Sequence, residues 1–313
     1  MLSTFEQILP NENEYISPPL PDHLPGTMSQ QPTDWTVVDD WWELAGTHDT
    51  DTLADLHALL EEVNEQWRES PACFDHDPLC AAWRDNGPLR TTQEENWSQW
   101  LAHLCHTAPT RFITRVFDIQ VTETPARVRC EVPLSSDATH DRRVDVLIQY
   151  PDIGISIEVK IDDDHYAKTP ETAGLIERHD RRRTWHHYLL LPATNHGQLQ
   201  ANTRTRLDTT TDAHAVLRGS QSNEADVTVL YWRDISRALR QTLLSDASVT
   251  SHWQATAYTL ITIIETVLCQ FATEPLLASH TSAEPVGFGD QTQLRNTPLA
   301  TQYDYLTNTH THE

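Results

Sequence analysis

Apolar residues recur at helical intervals in several stretches of the chain, and charged or polar residues fill the positions between them. An apolar stripe of this spacing is typical of helices that bury one face. The stretches that we predict to be amphipathic helices are 51–67, 92–106, 234–244 and 250–271, with shorter helices within 78–83 and 172–186. Residues 35–44 are rich in tryptophan and predict either a short helix or an aromatic plug.

Shorter apolar runs, several of them alternating with polar residues, predict β-strands. These runs are 126–132, 143–150, 154–161, 188–191 and 227–231. Residues 195–223 are polar and threonine-rich, and they predict a loop with one helix. A helix followed by several strands and then by helix–strand–helix elements favours a mixed α/β sheet flanked by helices.

Composition divides the chain into four parts. Residues 1–34 are rich in Pro, Asn and Gln and are predicted to be disordered, and residues 35–90 predict a helical extension. Residues 91–271 contain the predicted sheet, whereas the Thr-, His-, Asn- and Pro-rich residues 272–313 predict a flexible tail. No stretch approaches the roughly 18 consecutive apolar residues of a membrane span, and residues 1–26 lack the pattern of a signal peptide. We therefore expect a cytoplasmic protein with no membrane partner.

The charge of the chain is strongly negative, with 46 acidic residues against 22 basic ones and a formal net charge of −24 over 313 residues. Only two of the 22 bases are lysines, so arginine supplies the other 20. This composition predicts adaptation to concentrated salt, where a carboxylate-rich surface is screened; the alternative is an ordinary acidic protein. Because concentrated salt weakens counterion-driven binding for any protein, the net charge does not exclude a nucleic-acid partner.

One short segment carries the residue types of a metal-dependent phosphodiesterase. Lys160 closes an apolar run two residues after Glu158, and Asp145 lies in the preceding predicted strand. Side chains alternate along a strand, so a connecting loop of two or four residues places Asp145, Glu158 and Lys160 on one face. The same alternation predicts that the aliphatic residues fall on the far face, namely Val144, Val146, Ile148, Ile155, Ile157 and Val159.

The two carboxylates offer an incomplete oxygen cage to a hard cation such as Mg²⁺, together with the main-chain carbonyl of Val159. Lys160 would position or deprotonate the attacking water, or neutralise the charge on the phosphate. The alternative interpretation is a solvated strand in which Asp145 pairs with Arg142 or Arg143. Spacing alone leaves both interpretations open.

These residues and their order resemble the PD-(D/E)xK nuclease superfamily, as a haloarchaeal-type member. The resemblance rests on Glu95 at the start of a helix, on Asp145, and on Glu158 followed by Lys160. The stretches 94–104 and 227–239, and the long helix around Glu265, are also similar to one branch of that superfamily. Two features depart from its pattern: Val144 stands where a proline often precedes the acid, and no Gln-x-x-x-Tyr helix follows the lysine.

The resemblance implies a restriction-endonuclease-like αβββαβ core and a Mg²⁺- or Mn²⁺-dependent nuclease that acts on DNA. Asp145, Glu158 and Val159 would bind the metal, Lys160 would be catalytic, and Glu95 would be an accessory acid. Glu95 has a second explanation, because it completes a capping box with Thr92. A homodimer would suit double-strand cleavage, and the alternative function is a non-catalytic nucleic-acid- or protein-binding module on the same fold.

A basic island follows the candidate site in the sequence. Its arginines Arg178, Arg181 and Arg182 are predicted to contact substrate phosphates, although a solvated helix face explains them equally well. Residues 162–164 are three consecutive aspartates, which predict an acidic turn or a site for a second cation.

Overall fold

A computed structural model describes residues 35–81, 90–134, 142–163, 165–203, 206–209, 214–281 and 298–310. The chain divides between residues 45 and 46, and the larger unit, residues 46–313, contains the sheet. The predicted disorder of residues 1–34 lies outside the described residues. None of the described helices combines the length and the apolar character that a membrane crossing requires.

A mixed sheet forms the centre of the larger unit, as the sequence predicted for the fold class. Its strands are β1 Arg127–Leu134, β2 Arg142–Gln149, β3 Ile153–Val159, β4 Thr184–Leu191, β5 Leu207–Asp208, β6 Val216–Leu217 and β7 Val227–Tyr231. The strand order is β1-β2-β3-β4-β7-β6-β5. Strands β3, β4 and β7 run parallel, and the remaining neighbours are antiparallel. The apolar run in β4 is buried because helices cover both faces of the sheet there.

The α-helices in the described residues are α1 Trp35–Glu69, α2 Glu94–His106, α3 Thr110–Phe117, α4 Thr169–His179, α5 His196–Asn202, α6 Trp232–Ser245, α7 Ser251–Ile263, α8 Glu274–Thr281 and α9 Leu299–His310. Short 3₁₀ turns cover Pro78–Cys80 and Ala193–Asn195, and a π-helical segment at Ile264–Leu268 continues α7. The predicted long helix over 250–271 is therefore two segments. Helix α3 was not predicted.

Two layers of helices enclose the sheet. The main hydrophobic core lies on one face, where α2, α3, α6 and α7 pack against β2 and β3 through residues such as Trp97, Leu101, Val146, Ile157 and Leu239. Helix α4 packs on the other face, against β2, β4 and β7. The sheet is thus covered on both sides, and the ends of its strands are the places where polar side chains can converge.

The start of α2 differs from the predicted capping box. Gln93 is the N-cap residue and makes no side-chain hydrogen bond to the helix, so Thr92 lies one position too early to cap it. The first turn of α2 therefore begins with Glu94 and Glu95. The capping prediction was wrong, and the capping explanation for Glu95 is removed with it.

The predicted helix within 172–186 is also shorter than expected. Helix α4 ends at His179, and residues from Thr184 onward belong to β4. The main-chain N–H of Thr184 donates to the carbonyl of Asp152 at 2.9 Å, which starts the parallel pairing of β3 and β4. Arg178 therefore lies in the last turn of α4, whereas Arg181 and Arg182 lie in the turn between this helix and β4.

The polar C-terminal region contains two helices where the composition predicted a flexible tail. Tyr305 and Leu306 of α9 are buried in a second apolar cluster together with residues of α1 and α8. The side-chain amide of Gln302 both donates to the carbonyl of Ala272, at 2.9 Å, and accepts from its N–H, at 2.8 Å. Residues 274–281 and 299–310 are helical, while residues 282–297 and 311–313 of the predicted tail lie outside the described residues.

Candidate metal and phosphate site

The candidate site lies where the pairing between β2 and β3 stops. The ladder runs from Gln149–Gly154 to Val146–Ile157, so four residues, 150–153, connect the paired ends. This is one of the two loop lengths that the predicted arrangement requires. The next pair in register would be Asp145 and Glu158. There the ladder ends, and the N–H of Val159 instead donates to Oδ2 of Asp145 at 2.7 Å.

Lys160 follows directly after β3 and lies among carboxylates. Its Nζ is 2.9 Å from Oδ2 of Asp163, 3.3 Å from Oε1 of Glu158 and 3.8 Å from Oε2 of Glu94. Only 9% of the residue is exposed. The main-chain N–H of Lys160 donates to the carbonyl of Leu190 at 2.8 Å, so the backbone that carries the ammonium group is fixed by β4.

Helix α2 contributes Glu94 to this cluster. Its Oε1 accepts a hydrogen bond from the main-chain N–H of Ile161 at 2.8 Å, while its other oxygen faces Lys160. Glu95, the residue predicted from the sequence, is directed elsewhere and contacts Arg143 at 3.7 Å. The structure therefore brings together Asp145, Glu158, Lys160 and Glu94, and it does not bring Glu95 into contact with Lys160.

Glu94 was not predicted from the sequence, although its spacing from buried residues of the same helix indicates that it faces the sheet. Glu94 precedes Ser98, Leu101 and Cys105 by four, seven and eleven residues, and all three are buried. Residues at these intervals share one face of a helix. Glu94 therefore begins the stripe that faces the sheet. Asp163 was missed as a partner of Lys160 because the sequence shows only a run of aspartates.

The sheet is locally distorted at the level of Asp145. Glu131 stands between the pairs Cys130–Val146 and Val132–Val144 and has a left-handed φ of 53°. Val146 belongs to the main core, but Val144 packs in a separate cluster with Leu147, Ile176 and Trp185. The predicted single aliphatic row is wrong for Val144. Strict alternation fails where the Asp145 carboxylate takes over a ladder hydrogen bond.

Electrostatics at the site favour the neutral form of the two central carboxyl groups. Burial, followed by the negative charge of Glu158, raises the pKa of Asp145 to about 8. Burial also raises the pKa of Glu158, and the charges of Glu94 and Asp163 add to this effect against the opposing charge of Lys160. Glu131 has a raised pKa for the same first reason, burial. The cluster thus contains more carboxyl groups than positive charges to balance them.

Lys160 is the cation that partly balances these groups. Burial alone would lower the pKa of its ammonium group, but Glu158, Asp163 and Glu94 outweigh burial and raise this pKa above its ordinary value. Burial would likewise raise the pKa of Asp163, yet hydrogen bonds from Lys160 and His165 lower it. Lys160 is therefore firmly protonated.

The basic island lies at the opposite end of β3. Thr184 pairs with Ile153, whereas Leu189 pairs with Glu158. Five residues of strand separate these levels, which is about 17 Å. Arg178 donates to the carbonyl of Asn223 at 2.6 Å, and both Arg181 and Arg182 are exposed in the turn before β4. The structure does not bring Arg178, Arg181 and Arg182 to the carboxylate cluster.

A buried serine–histidine pair lies next to Glu158 on the side covered by α4. Oγ of Ser156 is 2.7 Å from Nδ1 of His187 on the neighbouring strand, and burial lowers the pKa of His187 to about 4. Glu177 lies 3.5 Å from the other ring nitrogen. Both members of the pair are 5% exposed, so a substrate has no access to the serine. The pair joins β3 to β4 beneath the site.

Few side chains at the site are positioned to bind a metal ion. Within the described ranges, no group of three or more His, Cys, Asp or Glu side chains is arranged to hold a metal ion. Asp145 and Glu158 supply two carboxylates, and Glu94 and Asp163 are directed to Lys160. Mg²⁺ is commonly bound by one or two carboxylates, with waters and substrate phosphates as the other ligands. The residues present fit that mode of binding and do not form an all-protein cage.

The chain matches no family model, no curated protein and no solved structure.

Proposed function

We propose that this protein is a metal-dependent nuclease that hydrolyses phosphodiester bonds, with a restriction-endonuclease-like core of the PD-(D/E)xK type. The observation that carries the proposal is the meeting of Asp145, Glu158 and Lys160 where the β2–β3 ladder ends. Two carboxylates and one ammonium group from adjacent strand ends are the residue types that phosphodiester hydrolysis requires.

Asp145 and Glu158 would hold Mg²⁺ or Mn²⁺, with the carbonyl of Val159 as a third protein ligand. Burial first, and then neighbouring negative charge, raises the pKa of both carboxyl groups, and a bound divalent cation would offset both effects. The chemistry that such an ion supplies is a more acidic water and neutralisation of charge at the phosphate.

Lys160 would stabilise the negative charge that develops on the phosphate. Its ammonium group is already positioned by Asp163, at 2.9 Å, and its backbone is fixed by β4. Such a preorganised charge does not need to reorient when the reaction proceeds. Glu94 acts as a positioning residue, since it joins the start of α2 to the N–H of Ile161 and faces Lys160.

The acidic, lysine-poor composition supports action in a salt-rich cytoplasm, and DNA is the substrate that we assign. A homodimer would place two such sites on the two strands of a duplex. A role in defence or DNA processing is consistent with this chemistry.

The rival proposal is a non-catalytic nucleic-acid- or protein-binding module on the same fold. It is favoured by the absence of a third metal-directed carboxylate in the part of the chain that the structure describes. The intact set of Asp145, Glu158 and Lys160 favours the enzyme.

Cleavage of labelled DNA in molar KCl with Mg²⁺ separates the two proposals. We expect Asp145→Ala and Lys160→Ala to lose at least about 100-fold in rate, the usual effect of removing one preorganised charge-stabilising group. Lys168→Ala is the matched control, because Lys168 is the only other lysine of the chain and is exposed. Circular dichroism checks that each variant is folded. DNA binding without cleavage by the wild type would support the module, and equal rates in all variants would exclude this active site.

A further inference from the structure

Arginine side chains in this acidic protein commonly contact a carboxylate. Those that do so include Arg68, Arg142, Arg183, Arg206, Arg218 and Arg240. With 46 acidic residues for 22 basic ones, counterions are abundant. An arginine that is partly buried but lacks such a partner is therefore unusual in this chain.

Arg129 on β1 is such a residue, and its neighbour Arg127, which is exposed, also lacks a carboxylate partner in the described part of the chain. Among the described residues neither forms an ion pair, and the contact of the Arg129 guanidinium is a long one, 3.5 Å from Nη2 to Oε1 of Gln149. Nε of Arg129 is buried and has no hydrogen-bond partner. Burial, and then the like charge of Arg127, lower the pKa of Arg129. A partly buried guanidinium group without a counterion destabilises the protein unless an external anion binds it.

Arg129 lies nearer to the carboxylate cluster than Arg127 does. Strand β1 is first in the sheet order, and Arg129 pairs with Leu147 and Arg127 with Gln149. Their partners are two and four residues from Asp145, which corresponds to about 7 and 14 Å along the strand. Alternation along β1 directs both side chains to the same face. A chain of phosphates that enters the site along β1 would pass both guanidinium groups.

We propose that Arg127 and Arg129 bind the phosphate backbone of the nucleic-acid strand on which the carboxylate cluster acts. This inference rests on the proposed function and adds the surface along which the substrate strand would bind. A guanidinium group matches a phosphate with two parallel hydrogen bonds, and Nε is one of the donors that such a contact uses. Contacts to phosphates carry no sequence information, so they position the strand on the protein.

The arginines of the basic island can be compared with those of β1. Arg181 and Arg182 also lack an ion pair within the described part of the chain, but both are exposed, so water solvates them at little cost. They also lie at the far end of β3. Arg129 therefore differs from Arg181 and Arg182 in burial and in distance from the site, whereas Arg127 is exposed as they are. The formal charge of the two pairs is the same.

The test uses the full chain with Lys160→Ala, which should bind without cleaving, and fluorescent single- and double-stranded DNA over a series of KCl concentrations. We expect Arg127→Gln with Arg129→Gln to weaken binding at least about tenfold, from two charge-assisted contacts. The slope of log K against log [KCl] should fall by about 1.4 to 1.8 in magnitude, from two lost phosphate contacts. The matched double variant Arg181→Gln with Arg182→Gln should change neither quantity.

Arg129→Lys keeps the charge and should restore part of the affinity, and circular dichroism excludes misfolding as the cause of any loss. Equal effects of the two double variants, or no effect of either, would overturn the inference. Absence of DNA binding by the parent chain would also overturn it.

The same measurements distinguish a failure of this inference from a failure of the proposed active site. If the wild type cleaves DNA and the β1 variants keep its KM, phosphate binding by Arg127 and Arg129 is wrong, but the nuclease proposal stands. If the wild type does not cleave but binding depends on Arg127 and Arg129, their phosphate-binding role is supported and the catalytic proposal is wrong.

Discussion

Two groups of charged side chains in this protein differ in how completely their charges are paired. Around Arg240 the charges are saturated: its Nε and Nη2 donate to the two oxygens of Glu265 at 2.6 Å, and its remaining donors reach Asp77. Glu265 also accepts from Ser236 at 2.7 Å and from Tyr305 at 2.8 Å. Arg240, Asp77 and Glu265 are all 0% exposed.

Around Lys160 the charges are not saturated. One ammonium group faces Glu94, Glu158 and Asp163, and Asp145 lies beside them. The group is at a strand end, and two of its carboxyl groups have a raised pKa, first because they are buried.

We interpret the difference as one between a structural role and the metal-binding role that we propose. A buried ion network with complete hydrogen bonding connects elements, here the segment before the first 3₁₀ turn, α6, the π-helical segment and α9. Repulsion among carboxylates destabilises a cluster with surplus negative charge unless a cation binds to it. Such clusters are typical of functional sites.

The largest expected effect is on the saturated group. Arg240→Met should destabilise the protein by about 3 to 5 kcal/mol, because it leaves two carboxylates buried without their partner. Arg68→Met is the matched control, since its ion pair with Glu65 on α1 is exposed and should contribute little. Denaturant unfolding at constant KCl measures both. Similar small losses in the two variants would remove the distinction that we draw.

The second prediction concerns the unsaturated group and pH. The pKa of Asp145 is about 8 in the fold against 3.8 as the reference value, so the folded state binds this proton more tightly than the unfolded state. The resulting stability is complete below the unfolded pKa and is lost as the pH rises through about 8. Without metal, stability should fall by up to about 1.4 kcal/mol per pH unit between these limits.

Asp145→Asn isolates this effect, because the other titrating groups remain. Unfolding in EDTA at pH 5, 6, 7 and 8 should show a shallower pH slope in the variant, and Mg²⁺ should flatten the slope of the wild type. Identical slopes in both proteins would show that Asp145 is not the titrating group.

The smallest expected effect compares two adjacent acids of α2. Glu94→Gln should slow DNA cleavage about tenfold, an energy near 1.4 kcal/mol, because its contact with Lys160 weakens. Glu95→Gln should leave the rate nearly unchanged, since Glu95 contacts the exposed Arg143. The reverse order would restore the assignment made from the sequence.

Much of the central fold could be predicted from the sequence. Strands β2, β3, β4 and β7 and helices α2, α6 and α7 follow from apolar spacing, since each buries a clear row or stripe. The two-residue strands β5 and β6 are too short to show a period. Helix α9 was missed because two of its buried positions are polar, Gln302 and Thr309, and their hydrogen bonds form only in the fold.

The site could be predicted in part. The even length of the loop places Asp145 opposite Glu158 in register, and there the Asp145 carboxylate accepts a hydrogen bond from the N–H of Val159. The choice of Glu94 over Glu95 depended on the phase of α2, which the mistaken capping box obscured. The position of Arg181 and Arg182 depended on where the parallel pairing of β3 and β4 begins, and the sequence does not show that register.

The central claim is that a divalent cation binds between Asp145 and Glu158. Crystals soaked in Mn²⁺ at high salt test it directly through the anomalous signal of the metal. We expect a peak with oxygens of both carboxylates at roughly 2.1 Å, and no such peak in crystals of Asp145→Asn. Mn²⁺ found only on the acidic surface, or an empty site in the wild type, would contradict the claim.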